Sequence, residues 1–284
     1  MGRSLQLRRG GPARLVASCV IAAAFLVVAI SIARADGLKG SSVTYEVKLL
    51  KEDKAAYAEG QASSTLSSSC KERSFGEILL LAIERKNASA KTITEKSERI
   101  EEKVSAQEAL DGATLKYQTR LRHDARIDTA TGTATLGKEP GQLHTVLSRY
   151  NQDSALPAGT LAPAAARAAL VEALMANKPG KIEIGAVEMY RFHKPIKQIF
   201  TRLAPEDSSI AGGLPKELKA PSKEFAAGRL WALKRQVPEF NEFGDEFWLL
   251  HESGAVVRQV VTRYNVKLLF EAKEVSIFPA PACP

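Results

Sequence analysis

The sequence predicts an all-β domain with one inserted α-helix. Two observations carry most of that prediction. Several segments alternate apolar and polar residues with a period of two, and Gly, Pro and Ser punctuate the chain throughout. A third is that one segment stands out for combining helical spacing with strong helix formers.

In chain order, the first strand signal is at 43–49. Val43, Tyr45, Val47 and Leu49 share one parity, against Thr44, Glu46 and Lys48. Alternation of this kind buries one face of a strand. Residues 95–110 are ambiguous. Their Glu and Lys spacing supports a solvated helix, whereas Thr92, Ile93 and Thr94 favour strand. Alternation returns at 115–122, where Leu115, Tyr117, Thr119 and Leu121 face away from Lys116, Gln118, Arg120 and Arg122.

The helix is placed at 163–177. Pro163 suits the first helical position, and 164–177 is rich in helix formers. Leu170, Val171, Leu174 and Met175 fall on one face, and Lys178-Pro179-Gly180 stops the run. Shorter strands follow at 181–190, 196–203, 228–237 and 246–251. Ser253-Gly254 marks a hairpin turn between 247–251 and 256–261. Val260, Thr262, Tyr264, Val266, Leu268 and Phe270 share one parity and read as one strand. The stretch 205–221, with its prolines and glycines, reads as a long surface loop.

The N-terminus has the pattern of a targeting segment. Arg3, Arg8, Arg9 and Arg14 precede an unbroken apolar run at 20–30, and Ala33-Arg34-Ala35 is a small-residue cleavage site before Asp36. That order describes a secretory signal peptide over 1–35, cut between Ala35 and Asp36. The expected mature chain is one domain over 36–284. No later segment approaches eighteen consecutive apolar residues, so a soluble mature chain is expected.

Charge excludes a simple nucleic-acid reading. The formal charge of +8 includes five arginines in 1–35, and the remainder has 35 basic and 32 acidic residues. A net of +3, dispersed along the chain, makes no phosphate-tracking surface, and no nucleic-acid partner is expected. Export also leaves two cysteines, Cys70 and Cys283. Their expected state in an oxidising compartment is one disulfide across more than two hundred residues.

Motifs for chemistry are missing from the sequence. His123, His144, His193 and His251 are scattered, with no H-E-x-x-H and no C-x-x-C. No G-x-S-x-G elbow and no Gly-rich phosphate loop is present. Glu101-Glu102 and Glu239/Glu242 are spaced like solvated carboxylates, not a glycosidase pair. The expectation is therefore a non-enzyme with no cofactor and no metal. Trp231, Phe247, Trp248, Tyr264, Phe270 and Phe278 sit in strand-like contexts. They read as core residues, or as the wall of a cavity inside a curved sheet.

Three segments carry a resemblance. They are 156–163 (Leu-Pro-Ala-Gly-Thr-Leu-Ala-Pro), Glu252-Ser253-Gly254 with Val256 and Val257, and 278–283 (Phe-Pro-Ala-Pro-Ala-Cys). In that order, behind a signal peptide and with Cys70 where a partner cysteine belongs, the chain resembles the cell envelope integrity EipB family of alphaproteobacterial periplasmic proteins. The resemblance implies a spiral-like, highly curved antiparallel sheet, broadly similar to periplasmic lipoprotein carriers. It also implies a disulfide tie, strand over 91–104, a role in envelope integrity and stress resistance, and no catalytic activity. The expected function is a periplasmic envelope-homeostasis factor that binds an envelope protein or a lipidic ligand through residues the sequence does not identify. The alternative is a secreted hydrolase with an unrecognised active site.

Overall fold

Among the described residues, fourteen strands form a single antiparallel sheet, and one helix interrupts them. The computed structural model describes residues 40–51, 58–89, 92–177, 179–190, 193–203, 229–239, 246–263 and 266–279. The expected cleavage site at Ala35 and Asp36, the loop at 205–221, Tyr264 and Cys283 lie outside them.

The strands are β1 (Gly40–Lys51), β2 (Ala58–Ser68), β3 (Glu72–Ser89), β4 (Thr92–Ala109), β5 (Thr114–His123), β6 (Arg126–Thr135), β7 (Gly141–Leu147) and β8 (Asn151–Leu156). The helix α1 (Pro163–Met175) follows, then β9 (Lys181–Glu188), β10 (Lys194–Arg202), β11 (Leu230–Gln236), β12 (Glu246–His251), β13 (Val256–Arg263) and β14 (Val266–Phe278). Their spatial order is β8-β7-β6-β5-β4-β3-β2-β1-β14-β13-β12-β11-β10-β9. Every neighbouring pair joins consecutive strands except β1 and β14, which bring the two ends of the fold together from Gly40↔Phe278 to Lys51↔Val266. The open edges of the sheet are β8 and β9. A parallel bridge, Leu161↔Ala186, ties the segment after β8 to β9. The all-β class, the curved antiparallel sheet and the single helix all match the sequence reading.

Directly paired residues point to the same side of a sheet. The register therefore puts Tyr45, Ala62, Leu79, Phe270 and Trp248 on one face, the face that α1 packs against. Helix α1 begins with Pro163 at its first turn, as predicted, and buries Ala164, Ala166, Leu170, Val171, Ala173 and Leu174. Met175, predicted on the apolar face, is instead 47% exposed. Its place is taken by alanines, whose small side chains let the helix sit close to β9 and β3.

No side chain of its own caps α1. Glu108 of β4 faces that end instead. Burial pushes its carboxyl up to about 7, while Arg73 and the backbone N–H groups of Ala165 and Ala164 pull the other way. A carboxylate at a helix N-terminus is favourable because the unpaired N–H groups there carry partial positive charge. Glu108 also faces Arg73 at 3.6 Å, both side chains nearly without exposure.

One ambiguity is resolved and one reading is corrected. The segment left open between helix and strand is strand, as the resemblance implied for 91–104; β4 pairs with β3 along its whole length and with β5 from Ile100 to Glu108. The run from Val260 to Phe270 is two strands joined across 264–265, with Val261↔Leu268 and Val260↔Leu269 as partners. Paired residues here differ by an odd number in sequence. Parity therefore flips across the hairpin, and Val260 and Leu268 point to opposite faces.

Candidate functional site

A cavity of about 440 Å³ lies between the sheet and α1. Its walls come from β1–β4, from α1 and from β9–β14, and none of its lining residues belongs to β5–β8. That volume is in the range of small-molecule sites. Phe75, Leu79, Ile100, Leu268 and Phe270 supply apolar wall, and Glu77, Arg167, Arg235 and Glu246 put charge among them.

Each charged group reaches the interior because its position shares parity with buried apolar neighbours. Glu77 lies between Phe75 and Leu79 on β3, and Glu246 precedes Trp248 and Leu250 on β12 by the same two-residue step. Arg167 sits three residues from Ala164 and Leu170 on the buried side of α1.

Arg235 is ion-paired. Its Nε donates to Gln198 Oε1 at 2.8 Å and its Nη1 to Glu246 Oε2. Glu246 Oε1 also accepts from Trp248 Nε1 at 2.5 Å and from Gln259 Nε2 at 2.6 Å. This pair is internally neutral and its carboxylate accepts further hydrogen bonds, which a buried ion pair needs to offset its desolvation.

Arg167 is held differently. Its Nη1 donates to the Gly254 carbonyl at 3.0 Å, and its guanidinium lies 4.6 Å from the Trp248 ring centroid. Among the described residues no carboxylate forms a direct ion pair with it. Burial pulls its pKa down, and nearby Glu77 opposes that shift. Burial also pushes the Glu77 carboxyl up to about 7, against the opposing charge of Arg167. Its one hydrogen bond, from Ser64 Oγ at 3.5 Å, is long. Tyr45, on the same face, donates to the Val256 carbonyl at 2.6 Å, and burial raises its pKa.

A second polar cluster closes the seam between β8 and the β9–β10 turn. Tyr117 Oη lies 2.9 Å from Thr145 Oγ1 and 3.0 Å from His193 Nδ1, and its ring stacks on the imidazole. Ser154 Oγ donates to the His193 carbonyl. His193 is buried with a φ of 48°, and burial lowers its pKa, so a neutral imidazole suits the seam.

The other sequence candidates do not converge. His123 is exposed, and exposed His144 contacts Asp153 at 2.6 Å. His251 Nδ1 lies 2.9 Å from Ser253 Oγ, a spacing that invites a nucleophile reading. Both are buried, and the Ser253 backbone N–H also donates to that nitrogen, so the contact shapes the turn at Gly254. Cys70 is disulfide-bonded, and its expected partner Cys283 lies outside the described residues. Among the described residues no group of three or more His, Cys, Asp or Glu is placed to hold a metal, and no helix is long and apolar enough to cross a membrane. Of the singled-out aromatics, Trp248 and Phe270 line the cavity, and Trp231 packs with α1. Phe247 is core, and Phe278 is 45% exposed.

Sequence reading passed over Glu77, Arg167, Arg235 and Glu246. The available signal was a charged residue at an otherwise apolar parity or helical face.

A meandering antiparallel sheet curled over a helix and a ligand-sized hollow defines a β-barrel-like architecture. No family model and no curated protein matches the chain. A solved structure is similar: the β-barrel-like protein of domain of unknown function DUF1849 from Brucella abortus, with a TM-score of 0.65 at 12% identity. The likeness covers 85% of this chain and 98% of that one, and it establishes the fold.

Proposed function

We propose that this chain is a non-enzymatic factor of the bacterial cell envelope, a member of the EipB family, that acts in the periplasm by binding a lipidic ligand in its cavity. The observation that carries this reading is the cavity between α1 and the sheet, walled by Phe75, Leu79, Ile100, Leu268 and Phe270. An apolar hollow with a few placed polar groups is what a carrier or sensor of amphiphiles needs. The signal-peptide pattern at 1–35 supports export with cleavage between Ala35 and Asp36. The disulfide state of Cys70 supports an oxidising compartment, and Cys283 is its proposed partner. Envelope-protein partners would meet the outer surface and rim.

The test uses protein recovered from the host periplasm. Native mass spectrometry should show an added lipidic mass that organic extraction removes, and N-terminal sequencing should start at Asp36. A deletion strain should become sensitive to detergents and cell-wall agents, and crosslinked pull-down should report any protein partner. Recovery of the full-length chain in membranes, or a deletion strain with wild-type resistance to every envelope stress, overturns the proposal.

A further inference from the structure

We propose that the cavity is built for a single-chain amphiphile with a carboxylate head, and that Arg167 is the residue that binds that head. This rests on the cavity-binding reading above and adds the chemistry of the ligand.

The described residues place two guanidiniums in the cavity, and they are held unequally. Arg235 is paired with Glu246 through Oε2, while Glu246 Oε1 accepts from Trp248 and Gln259. Among the described residues, Arg167 has one hydrogen bond, to a neutral carbonyl, and a ring beside it. A guanidinium has five N–H donors in a fixed fork that matches a carboxylate. Arg167 lines the cavity with the donors that Gly254 does not use. Leaving such a cation inside a fold without an anion is costly, and a carboxylate arriving with the ligand removes that cost.

The neighbouring Glu77 refines the choice. It sits on the same cavity wall, with only the long contact to Ser64. In its protonated form it donates a hydrogen bond, and a carboxylate head accepts one. With one guanidinium outside any direct ion pair among the described residues and one carboxyl donor beside it, the site matches a monoanion. A doubly charged phosphate would need a second free cation, and Arg235 is already paired.

Volume sets the number of chains. About 440 Å³ lies toward the small end of the range for ligand sites, which favours one alkyl chain over two, laid against Leu79, Ile100, Leu268 and Phe270.

The experiment is fluorescence titration of the purified mature chain, after delipidation, with cis-parinaric acid, a single-chain carboxylate. Displacement then compares palmitate, hexadecanol and a two-chain phosphatidylglycerol. Palmitate should displace the probe at least tenfold better than hexadecanol, and phosphatidylglycerol should displace it poorly. Arg167→Met should weaken palmitate about tenfold and bring it level with hexadecanol, and Arg167→Lys should fall between. Equal displacement by palmitate and hexadecanol in the wild type overturns the carboxylate inference and leaves the lipidic reading standing. Equal or better displacement by phosphatidylglycerol overturns the single-chain inference. Unchanged palmitate affinity in folded Arg167→Met overturns the role of Arg167. Failure of every alkyl probe to bind overturns the cavity reading, and this inference with it. If Arg167→Met does not fold, the wild-type palmitate-to-hexadecanol ratio still decides the carboxylate question.

Discussion

Strands β5–β8 and strands β11–β13 belong to one sheet, yet they use it differently. In β5 and β6 burial alternates residue by residue. Their interior positions include Thr119, Ala130, Gly132 and Ala134, so the sheet closes down on itself and contributes nothing to the cavity wall. Tyr117 lies so close over Gly132 that a Cβ there would sit 2.0 Å from its ring. In β12 the whole run from Phe247 to His251 is buried, on both faces. Its inner positions carry Trp248 and Glu246, and the space beyond them stays open under α1. Across β5 and β6 large residues face small ones, Leu115 against Ala134 and Tyr117 against Gly132, and the interior fills, whereas a ring, an ion pair and a helix hold the other part apart. The pairing of large with small side chains thus separates the solid part of the sheet from the hollow one.

The strongest way to break this contrast is Trp248→Ala. It removes the ring beside Arg167 and Arg235 and one of the donors to Glu246. A loss of about 3–5 kcal/mol in chemical denaturation is expected, as for other large aromatic truncations. The complementary break is Gly132→Val on the solid side. It drives Tyr117 off its seat and away from Thr145 and His193, and about 2–3 kcal/mol of destabilisation is expected from overpacking. The cavity should survive this change, so ligand affinity in the folded fraction should stay near wild type.

A pH series sharpens the comparison. Glu77 has its folded pKa raised to about 7 by burial, with Arg167, Arg235, Glu246 and Tyr45 facing it. A raised carboxyl pKa gives stability that is complete below the unfolded value and is lost as pH rises through the folded value. Between pH 5 and pH 8 the melting temperature of wild type should therefore fall relative to Glu77→Gln, by a few degrees. Parallel melting curves across that range would place Glu77 in water. The smallest effect should come from the exposed outer face. Glu46 is contacted by Lys48 and Lys273 there, and Glu46→Gln should leave the melting temperature unchanged.

Strands with large apolar residues were legible in the sequence, among them β1, β5 and β12. The segments β2, β3, β6, β7 and β8 are not singled out in the sequence. The inner faces of β2 and β6 use Ala58, Gly60, Ala62, Ala130, Gly132 and Ala134, which give hydropathy little to detect, and β3 carries its apolar residues as a continuous run, Ile78-Leu79-Leu80-Leu81, without alternation. The β13–β14 hairpin was hidden by a parity coincidence. The helix was legible from Pro163 and its alanines, but its apolar face was misjudged at Met175 because alanines do the packing. The site was the least legible part. Glu77 and Arg167 are unremarkable in composition, and they meet only because β3 and α1, far apart in sequence, share an interior.

The pairing of β1 with β14 bears on how the chain folds. Of the thirteen neighbouring strand pairs, twelve are sequence-consecutive and form locally, whereas this one joins the first strand to the last. Loop closure of that span is slow compared with hairpin formation. Two preformed meanders, β1–β8 and β9–β14, would each wait with one long unpaired edge until the last strand is available. Such edges invite pairing with other chains. A chain permuted to join residue 279 to residue 40, and opened between α1 and β9, would turn the fourteen strands into one uninterrupted meander and remove that wait.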